Sequence, residues 1–263
     1  MIPNILSIAG SDPSGGAGIQ ADIKAISANG GYAMAAITAL TAQNTQGVDC
    51  VEMVSPAMVA AQIATLRADI RIDAIKIGML GTTEIIAAVA QALQGFGAPI
   101  VLDPVMVAKS GDRLLAVQAV AALRDLLPMA QVITPNLPEA ADLLGCPEAT
   151  CRAQMQDQAR ALLALGARAV LLKGGHLSGD TCPDLLAEGA DLIWLDGSRQ
   201  ATTRTHGTGC TLSSALATGL GHGLSLPEAT TRAKSYVARA IAAAGALTVG
   251  QGFGPTHHFH AQF

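Results

Sequence analysis

The chain contains 263 residues, of which 50% are hydrophobic and only 14% are charged, and its formal net charge is −4. Because globular proteins usually carry about 25% charged residues, this composition indicates a large buried core, as in a parallel sheet covered by helices on both faces. The negative charge and the scattered Lys and Arg residues argue against a nucleic-acid-binding protein. No basic leader precedes the first apolar segment, and no uncharged apolar stretch reaches about 18 residues, so we expect a cytoplasmic protein that does not bind membranes.

Short apolar segments alternate with longer amphipathic segments along most of the chain. Strands are predicted at residues 4–9, 32–40, 74–78, 99–103, 131–136 and 169–175, and helices at about 19–29, after Pro56, from about Thr82 and after residue 136. DLLA and LIWLDG, between residues 177 and 205, predict an antiparallel edge hairpin, and two helices follow at about 210–221 and 226–247. This alternation predicts an α/β fold with a mostly parallel sheet between helices. No change of composition marks a boundary, so residues 1–263 are predicted to form a single domain.

Polar turns follow most of the predicted strands, where the ligands of parallel α/β sheets usually bind. The first turn contains GAGIQA at residues 16–21, which fits the G-x-G-x-x-G/A pattern of dinucleotide-binding proteins. That pattern also expects an acidic residue about 20 positions later to bind the ribose, and the second strand ends in TAQN instead. A dinucleotide-dependent oxidoreductase therefore stays only as the alternative from another functional class. The chain also lacks a GxxxxGK[ST] motif, which excludes an ordinary P-loop NTPase.

A cysteine stands at the junction of a glycine-rich turn and a predicted helix in THGTGCTLSSALATG, at residues 205–219. Free amides in the first turn of that helix can bind an anion such as a phosphate, and the candidates are Gly207, Thr208, Gly209 and Cys210. The same positive field favours a thiolate, so Cys210 is expected to have a lowered pKa and to act as a base or a nucleophile. The segment equally fits a tight turn with a small buried cysteine.

The remaining cysteines show no metal or disulfide pattern. The five cysteines of the chain form no C-x-x-C pair and are odd in number, which fits neither a disulfide framework nor a zinc site. We therefore expect four of them to be small buried hydrophobic residues: Cys50, Cys146, Cys151 and Cys182.

Several motifs occur in the order in which they occur in one enzyme family. They are AGSDPSGGAGIQAD, TAQNTQGV, KIGML, DPVMVAKSGDRLL, TPNLPEA, KGGH and HGTGCTLSSALA. On these motifs the whole chain resembles the hydroxymethylpyrimidine/phosphomethylpyrimidine kinases of thiamine biosynthesis, members of the ribokinase-like superfamily. The resemblance implies a three-layer ribokinase-like fold without a large separate lid, and a homodimer. It also implies an ATP- and magnesium-dependent kinase that phosphorylates 4-amino-5-hydroxymethyl-2-methylpyrimidine and then its monophosphate.

The resemblance also implies roles for particular residues. Cys210 is expected to be the general base, at the position where sugar kinases of the superfamily carry Asp. The anion hole is expected from the amides of Gly207, Thr208, Gly209 and Cys210. The substrate is expected to contact Gln43, whose amide offers both a donor and an acceptor to an aminopyrimidine edge, together with Asp22, Gly10, Met79 and Val105. The ATP phosphates are expected to contact Lys173, Asn136 and Thr208, and magnesium is expected to be held by Glu139 and Asp103, partly through water.

Several of these positions also fit ordinary structural roles. Gln43 also fits a side chain that hydrogen-bonds the loop backbone, and Asp22 and Lys173 also fit solvated surface charges. Asn136 and Glu139 also fit a helix N-cap with an acidic first turn. From its position alone, Lys109 is expected to lie in a loop that could close over the substrate. The nearest functional alternative is a pyridoxal kinase of the same fold, because some relatives phosphorylate both ring systems. A binding protein that has lost catalysis is disfavoured, because the expected catalytic residues are all present.

Overall fold

The fold is built around one sheet of eight strands. A computed structural model of the chain describes residues 1–107, 111, 114–116 and 118–262, so Lys109 lies outside the described residues. The strands are β1 (Asn4–Ala9), β2 (Tyr32–Ile37), β3 (Ala39–Gln43), β4 (Val48–Met53), β5 (Ala74–Ile77), β6 (Ile100–Leu102), β7 (Val132–Ile133), β8 (Ala169–Lys173), β9 (Asp184–Glu188) and β10 (Asp191–Leu195). The α-helices are α1 (Gly18–Ala28), α2 (Pro56–Asp69), α3 (Thr83–Ala92), α4 (Ala119–Leu126), α5 (Leu137–Leu144), α6 (Arg152–Ala164), α7 (Thr208–Gly221) and α8 (Leu226–Ala242).

The order of strands in the sheet is β10-β9-β8-β7-β6-β5-β1-β2. Strands β2, β1, β5, β6, β7 and β8 run parallel to one another, and Ile8 of β1 lies between Ala36 of β2 and Ile77 of β5. The hairpin β9–β10 continues the sheet in the antiparallel direction. Both the mostly parallel sheet and its edge hairpin are therefore confirmed.

Helices cover both faces of the sheet, because successive residues of each buried strand point to opposite sides. On one face, Leu6 and Ile8 of β1 belong to an apolar core with residues of α2 to α6. On the other face, Ile5 of β1 belongs to a second core with residues of α1, α7 and α8. The predicted three-layer arrangement is confirmed, and the described residues form no separate lid. None of the described helices combines the length and the hydrophobicity that a membrane span requires.

The predicted second strand at residues 32–40 is two strands that belong to different sheets. The amide of Thr38 donates to the carbonyl oxygen of Ala9 at 3.0 Å, and its hydroxyl donates to that of Met79 at 2.6 Å. After these two bonds the chain leaves the main sheet, and β3 pairs with β4 in a separate two-stranded antiparallel ribbon. The prediction missed the break because the whole segment has strand-like composition, and only contacts with distant segments mark Thr38.

The expectation that four cysteines are buried is wrong. Cys50, Cys146 and Cys151 are exposed, and Cys182 is partly exposed. Cys50 lies on β4 of the ribbon, and Cys146 and Cys151 lie in the connection between α5 and α6. The chain runs along the surface at these positions, and the apolar character of cysteine by itself does not reveal this.

The strand order creates a crevice at the carboxyl ends of β1 and β5. From β1 the chain continues to β2 on one side, whereas β5 to β8 follow on the other side, so the direction of the connections reverses here. Ligands of open α/β sheets bind at such a switch point. Helix α7 packs against β1, β5 and β6, and the turns after these strands carry Gly10, Met79 and Asp103. The fold thus brings the expected site residues to one edge of the sheet.

The variant Leu102→Ala tests the assignment of the core. Leu102 of β6 is fully buried, so its truncation removes favourable burial and leaves a cavity. We expect the free energy of unfolding, measured by urea titration, to fall by about 2–5 kcal/mol. The matched variant Leu165→Ala lies at the end of α6, where the residue is 41% exposed, and should lose less than about 1 kcal/mol. Equal losses in the two variants would contradict this assignment.

Candidate active site

Helix α7 begins with backbone amides that mostly lack a hydrogen-bond partner among the described residues. The amides of Gly207, Gly209 and Cys210 have no hydrogen-bond acceptor in the part of the chain that the structure describes. The amide of Thr208 makes only a long bond of 3.3 Å to the carbonyl oxygen of Thr205. The four residues of this turn are partly exposed. Free donors at the positive end of a helix have the geometry that an anion site requires.

The turn after β1 and the start of α7 touch through their backbones. A Cβ on Gly207 would lie 1.7 Å from the carbonyl oxygen of Gly16, and the φ of Gly207 is +74°. A Cβ on Gly16 would lie 2.3 Å from the His206 ring, and a Cβ on Gly18 would lie 2.3 Å from the carbonyl oxygen of Gly10. Only glycine fits such contacts. In the sequence that resembles a dinucleotide fingerprint, Gly16 therefore serves the approach to the start of α7, and Gly18 serves a close contact within the turn after β1.

A buried Asp–His pair fastens the same two segments. Nε2 of His206 lies 2.7 Å from Oδ2 of Asp12, and Asp12 also accepts from the amides of Ser14 at 2.9 Å and Ala17 at 2.8 Å. Burial disfavours the carboxylate, but the bonds from His206 and Ser14 outweigh it, so the pKa of Asp12 lies below its ordinary value. The sequence reasoning missed both residues. The only sequence signal was their place beside the glycines, in SDPSGG and HGTGC.

Gln43 reaches this cluster from the end of β3. Its Nε2 lies 3.4 Å from Nε2 of His206, and its Oε1 lies 3.4 Å from the hydroxyl oxygen of Thr41. Both contacts are long, and the His206 nitrogen already has Asp12 as a much closer partner at 2.7 Å. Because Gln43 is partly exposed, its amide is available to a ligand.

The residues expected to form the apolar wall lie in the turns after β1, β5 and β6. A Cβ on Gly10 would lie 3.0 Å from the sulfur of Met79, so the absence of a side chain at Gly10 makes room for Met79. Val105 is partly exposed, and its amide donates to the carbonyl oxygen of Asp103 at 2.8 Å. The structure therefore brings Gly10 and Met79 into contact and places Val105 in the turn after β6.

Lys173 and two carboxylates converge on the start of α7. Nζ of Lys173 lies 3.1 Å from Oδ1 of Asp103 and 3.9 Å from Oε2 of Glu139. A Cβ on Gly209 would lie 3.3 Å from Nζ of Lys173 and 3.4 Å from Oδ2 of Asp103. Thr134 donates to Asp103 at 2.9 Å. The glycine at position 209 thus allows the lysine and the carboxylate to approach the free amides.

Asn136 and Glu139 form the helix cap that the sequence allowed. The Asn136 side chain accepts from the amide of Glu139 at 2.8 Å, and the Glu139 side chain accepts from the amide of Asn136 at 2.7 Å. This reciprocal pair is a capping box at the start of α5. The second oxygen of Glu139 is not used by the cap, so the cap and a metal role are compatible.

The charged groups at and around Lys173 have pKa values that are shifted in different directions. Burial raises the pKa of Glu139 to about 7, with Lys173 opposing and Asp103 reinforcing the rise. Burial also disfavours the Asp103 carboxylate, but Lys173 and Lys76 outweigh it, so the pKa of Asp103 is lowered. For Lys173, burial opposes the charge, but Asp103 and Glu139 outweigh it and raise the pKa. Two neighbouring carboxylates therefore share one cation.

Asp22 lies beneath the crevice, within the protein interior. Its carboxylate is fully buried and pairs with Nζ of Lys76 at 2.8 and 2.9 Å. The hydroxyls of Ser7 and Ser214 donate to the same carboxylate at 2.6 and 2.7 Å. Contact between Asp22 and a substrate stays a prediction. Lys76 was missed by the sequence reasoning, although a lysine inside the apolar strand AIKI was a visible signal.

The lowered pKa expected for Cys210 is wrong. Burial raises the pKa of the Cys210 thiol to about 11, Lys76 opposes this rise, and Asp22 and Asp103 reinforce it. The expectation considered only the field of the helix terminus, which favours the thiolate. It omitted the desolvation of the sulfur and the two buried carboxylates, both of which favour the thiol.

Free amides at a helix start, a lysine and paired carboxylates at the switch point of a three-layer sheet define a ribokinase-like kinase. The profile of the phosphomethylpyrimidine kinase family matches residues 12–257. The chain belongs to this family.

Individual relatives agree with this assignment. The chain is 54% identical over 256 residues to the hydroxymethylpyrimidine/phosphomethylpyrimidine kinase of Rhizobium meliloti, covering 97% of this chain and 96% of that protein. It is similar in structure to an ADP complex of Bacillus subtilis pyridoxal kinase, with a TM-score of 0.92, 36% identity and full coverage of both chains. It is also similar to the phosphomethylpyrimidine kinase of Clostridium difficile, with a TM-score of 0.80, 41% identity and coverage of 91% of this chain and 99% of that one.

The variant Gly207→Ala tests the contact between the two backbones. The added Cβ would meet the carbonyl oxygen of Gly16 at 1.7 Å, and the positive φ disfavours any side chain. We expect a loss of at least about 1–3 kcal/mol of unfolding free energy, with a fall in kinase turnover as the amides move. Gly245→Ala is the matched control, because a Cβ there meets nothing within 4 Å. A Gly207→Ala variant that matches the control in stability and turnover would refute the interpretation.

Proposed function

We propose that this chain is an ATP-dependent kinase that phosphorylates the hydroxymethyl group of 4-amino-5-hydroxymethyl-2-methylpyrimidine and then converts the monophosphate to the pyrophosphate. The observation that carries the proposal is the free amide cluster at the start of α7, with Lys173 and Asp103 beside Gly209. The name of the Rhizobium meliloti relative supports the substrate class. The ADP complex of the Bacillus subtilis relative supports the nucleotide.

Substrate recognition is assigned to the crevice between the turn after β1 and the end of β3. The Gln43 amide would pair with the amino group and the adjacent ring nitrogen of the pyrimidine, because one amide supplies both a donor and an acceptor. Met79 and Val105 would contact the ring faces, and Gly10 would leave room for the ring. Asp22 would act on the substrate from beneath the crevice, through its hydrogen bonds and its charge.

The proposed reaction joins the substrate hydroxyl oxygen to the γ-phosphorus of ATP. The bond from that phosphorus to the oxygen of the ADP leaving group breaks, and the hydroxyl proton passes to the ionised sulfur of Cys210. The free amides of Gly207, Gly209 and Cys210 would stabilise the negative charge on the transferring group, and Lys173 would contact the phosphates. Because the transition state is loose, little deprotonation has to precede cleavage. A sulfur that is ionised only in a small fraction of molecules can therefore still act as the base.

Glu139 and Asp103 carry carboxylate oxygens, which are the kind of donor atom that a magnesium ion prefers. They are hard carboxylates that lie on the same lysine, 3.1 and 3.9 Å from Nζ of Lys173, and burial together with Asp103 keeps the pKa of Glu139 high, a cost that a nearby cation relieves. Magnesium needs only one or two protein carboxylates beside phosphate oxygens and waters. When bound, the ion would neutralise charge on the nucleotide phosphates. Asn136 would hold Glu139 through the capping box and contact the phosphates from the start of α5.

Exposed apolar side chains and exposed thiols support a proposal for the assembly and the location of the chain. We propose that the chain acts as one kinase domain in a cytoplasmic homodimer. Leu40 on one face of the ribbon and Val51 on the other are 53% and 37% exposed, and exposed apolar side chains of this size support a protein–protein contact. Free exposed thiols at Cys50, Cys146 and Cys151 support a reducing compartment.

The second candidate substrate is pyridoxal, which the likeness to the Bacillus subtilis pyridoxal kinase favours. The deciding experiment offers ATP and magnesium with the pyrimidine or with pyridoxal and counts phosphorylated products by mass. We expect the pyrimidine to give the higher kcat/KM.

Cys210→Ala should lower turnover by at least about 100-fold and leave ATP binding unchanged, whereas Cys146→Ala, at an exposed position, should be unaffected. Near-normal turnover in Cys210→Ala would remove the base role.

The pH dependence of turnover tests the ionisation of Cys210. The thiolate is the active base and the pKa of the thiol is raised to about 11, so the active fraction grows about tenfold per pH unit below that value. We expect kcat/KM for the pyrimidine to rise with pH between about 7.5 and 9.5, above the titration of Glu139. In Cys210→Asp the carboxylate is already ionised in this range, so the rise should disappear. A flat profile for the unmodified chain would contradict the assignment.

A further inference from the structure

A charged pair is sealed in the middle of the fold, below the residues assigned to catalysis. Lys76 on β5 and Asp22 on α1 are both fully buried, and Nζ of Lys76 lies 2.8 and 2.9 Å from the two Asp22 oxygens. Removing two charges from water costs several kcal/mol per ion, and apolar side chains often stabilise a core equally well. The pair is therefore a costly feature for which core stability offers no sufficient reason.

The pair lies directly under the Cys210 face of α7. Ser214 donates to Oδ1 of Asp22 at 2.7 Å, and Ser214 follows Cys210 by one helical turn, on the same side of the helix. A Cβ on Gly78 would lie 2.7 Å from Nζ of Lys76. Since Gly78 follows β5 directly, the ammonium group lies at the carboxyl end of the strand, where the crevice opens.

Charged groups from several elements act on the sulfur. The charge of Lys76 favours the thiolate of Cys210, and the charges of Asp22 and Asp103 favour the thiol. The thiolate in turn raises the pKa of Lys173 on β8, so that cation is also within electrostatic reach. The amide of Gly18 at the start of α1 hydrogen-bonds the sulfur and favours its ionised form.

We propose that Lys76 and Asp22 are positioning residues whose opposite buried charges set how readily the Cys210 sulfur releases its proton. Ser7 and Ser214 hold the Asp22 carboxylate in place at 2.6 and 2.7 Å. The positive charge of Lys76 stabilises the ionised sulfur in a desolvated site, and the negative charge of Asp22 reduces this stabilisation. The ionised fraction of the base is thus adjusted from beneath the crevice, by groups that do not touch the solvent.

The experiment measures the reactivity of the Cys210 thiol without using the kinase reaction. Iodoacetamide reacts with the thiolate, and peptide mass spectrometry gives the alkylation rate of Cys210 separately from those of Cys50, Cys146 and Cys151, which are exposed and serve as internal references. Rates are compared between pH 7.5 and 9.5 in the unmodified chain, Lys76→Met, Asp22→Asn and the double variant. The control is Lys234→Met, which breaks a lysine–aspartate pair of 2.7 Å with Asp184 near the sheet edge.

We expect the two single variants to change the alkylation rate of Cys210 in opposite directions. Lys76→Met should slow Cys210 alkylation at least about threefold and Asp22→Asn should accelerate it by a similar factor, each equal to half a pKa unit or more. The double variant should lie between the two single variants, and Lys234→Met should match the unmodified chain. Changes of the same sign in both single variants, or rates within twofold of the unmodified chain in both, would overturn the proposal.

Loss of folding in one variant does not block the test. If Lys76→Met does not give the near-ultraviolet dichroism of the folded chain, the comparison is made between Asp22→Asn and the double variant. In that background no buried anion is left unpaired, and removal of Lys76 should still slow alkylation at least threefold. Equal rates would overturn the proposal. The proposal rests on the base role of Cys210 only for its effect on turnover, so a failed Cys210→Ala assay and a failed alkylation test are separate outcomes.

Discussion

The approach of two backbones, the turn after β1 and the start of α7, is the constraint on which the site depends. The carbonyl oxygen of Gly16 occupies the space that a side chain at Gly207 would need. The Asp12–His206 pair, at 2.7 Å, fastens the same contact from the side. Because the chain enters α7 through this left-handed turn, no side chain caps the helix. Its first amides stay available for an anion, whereas in many helices the side chain of an N-cap residue accepts from them.

Buried charge is concentrated around this helix start, and each charge has a partner. Lys173 pairs with Asp103 and approaches Glu139, and below them Lys76 pairs with Asp22. In a desolvated region, such pairs keep ionised groups at fixed positions before any ligand arrives, which lowers the reorganisation needed during charge transfer. The same desolvation raises the proton affinity of the Cys210 sulfur. The site therefore combines strong fixed charges with a thiol that is rarely ionised.

The family assignment and the structural likeness address different levels of specificity. Sequence identity of 54% links the chain to a pyrimidine kinase, and the backbone is similar to that of a pyridoxal kinase, with a TM-score of 0.92. The same three-layer scaffold thus occurs in relatives that are named for a pyrimidine and for pyridoxal. Gln43, whose amide makes only long contacts of 3.4 Å to His206 and Thr41, is the side chain that we propose to distinguish the two rings.

The local sequence determined what depends on periodicity and on short motifs. The alternation of apolar and amphipathic segments predicted the parallel sheet, its edge hairpin and the helices on both faces, because burial on two faces imposes that pattern. The order of the motifs predicted the family. The turn residues predicted which side chains would collect at the carboxyl ends of the strands, since parallel strands all end at one edge.

Only the tertiary structure decided the features that depend on partners far away in the chain. The break at Thr38 is set by bonds to Ala9 and Met79, which lie 29 and 41 residues away in the chain. The acidity of Cys210 is set by desolvation and by carboxylates on other elements, and the exposure of the other cysteines is set by the path of the surface loops. Burial and through-space charge are sums over neighbours in space, and no local window of sequence contains those neighbours.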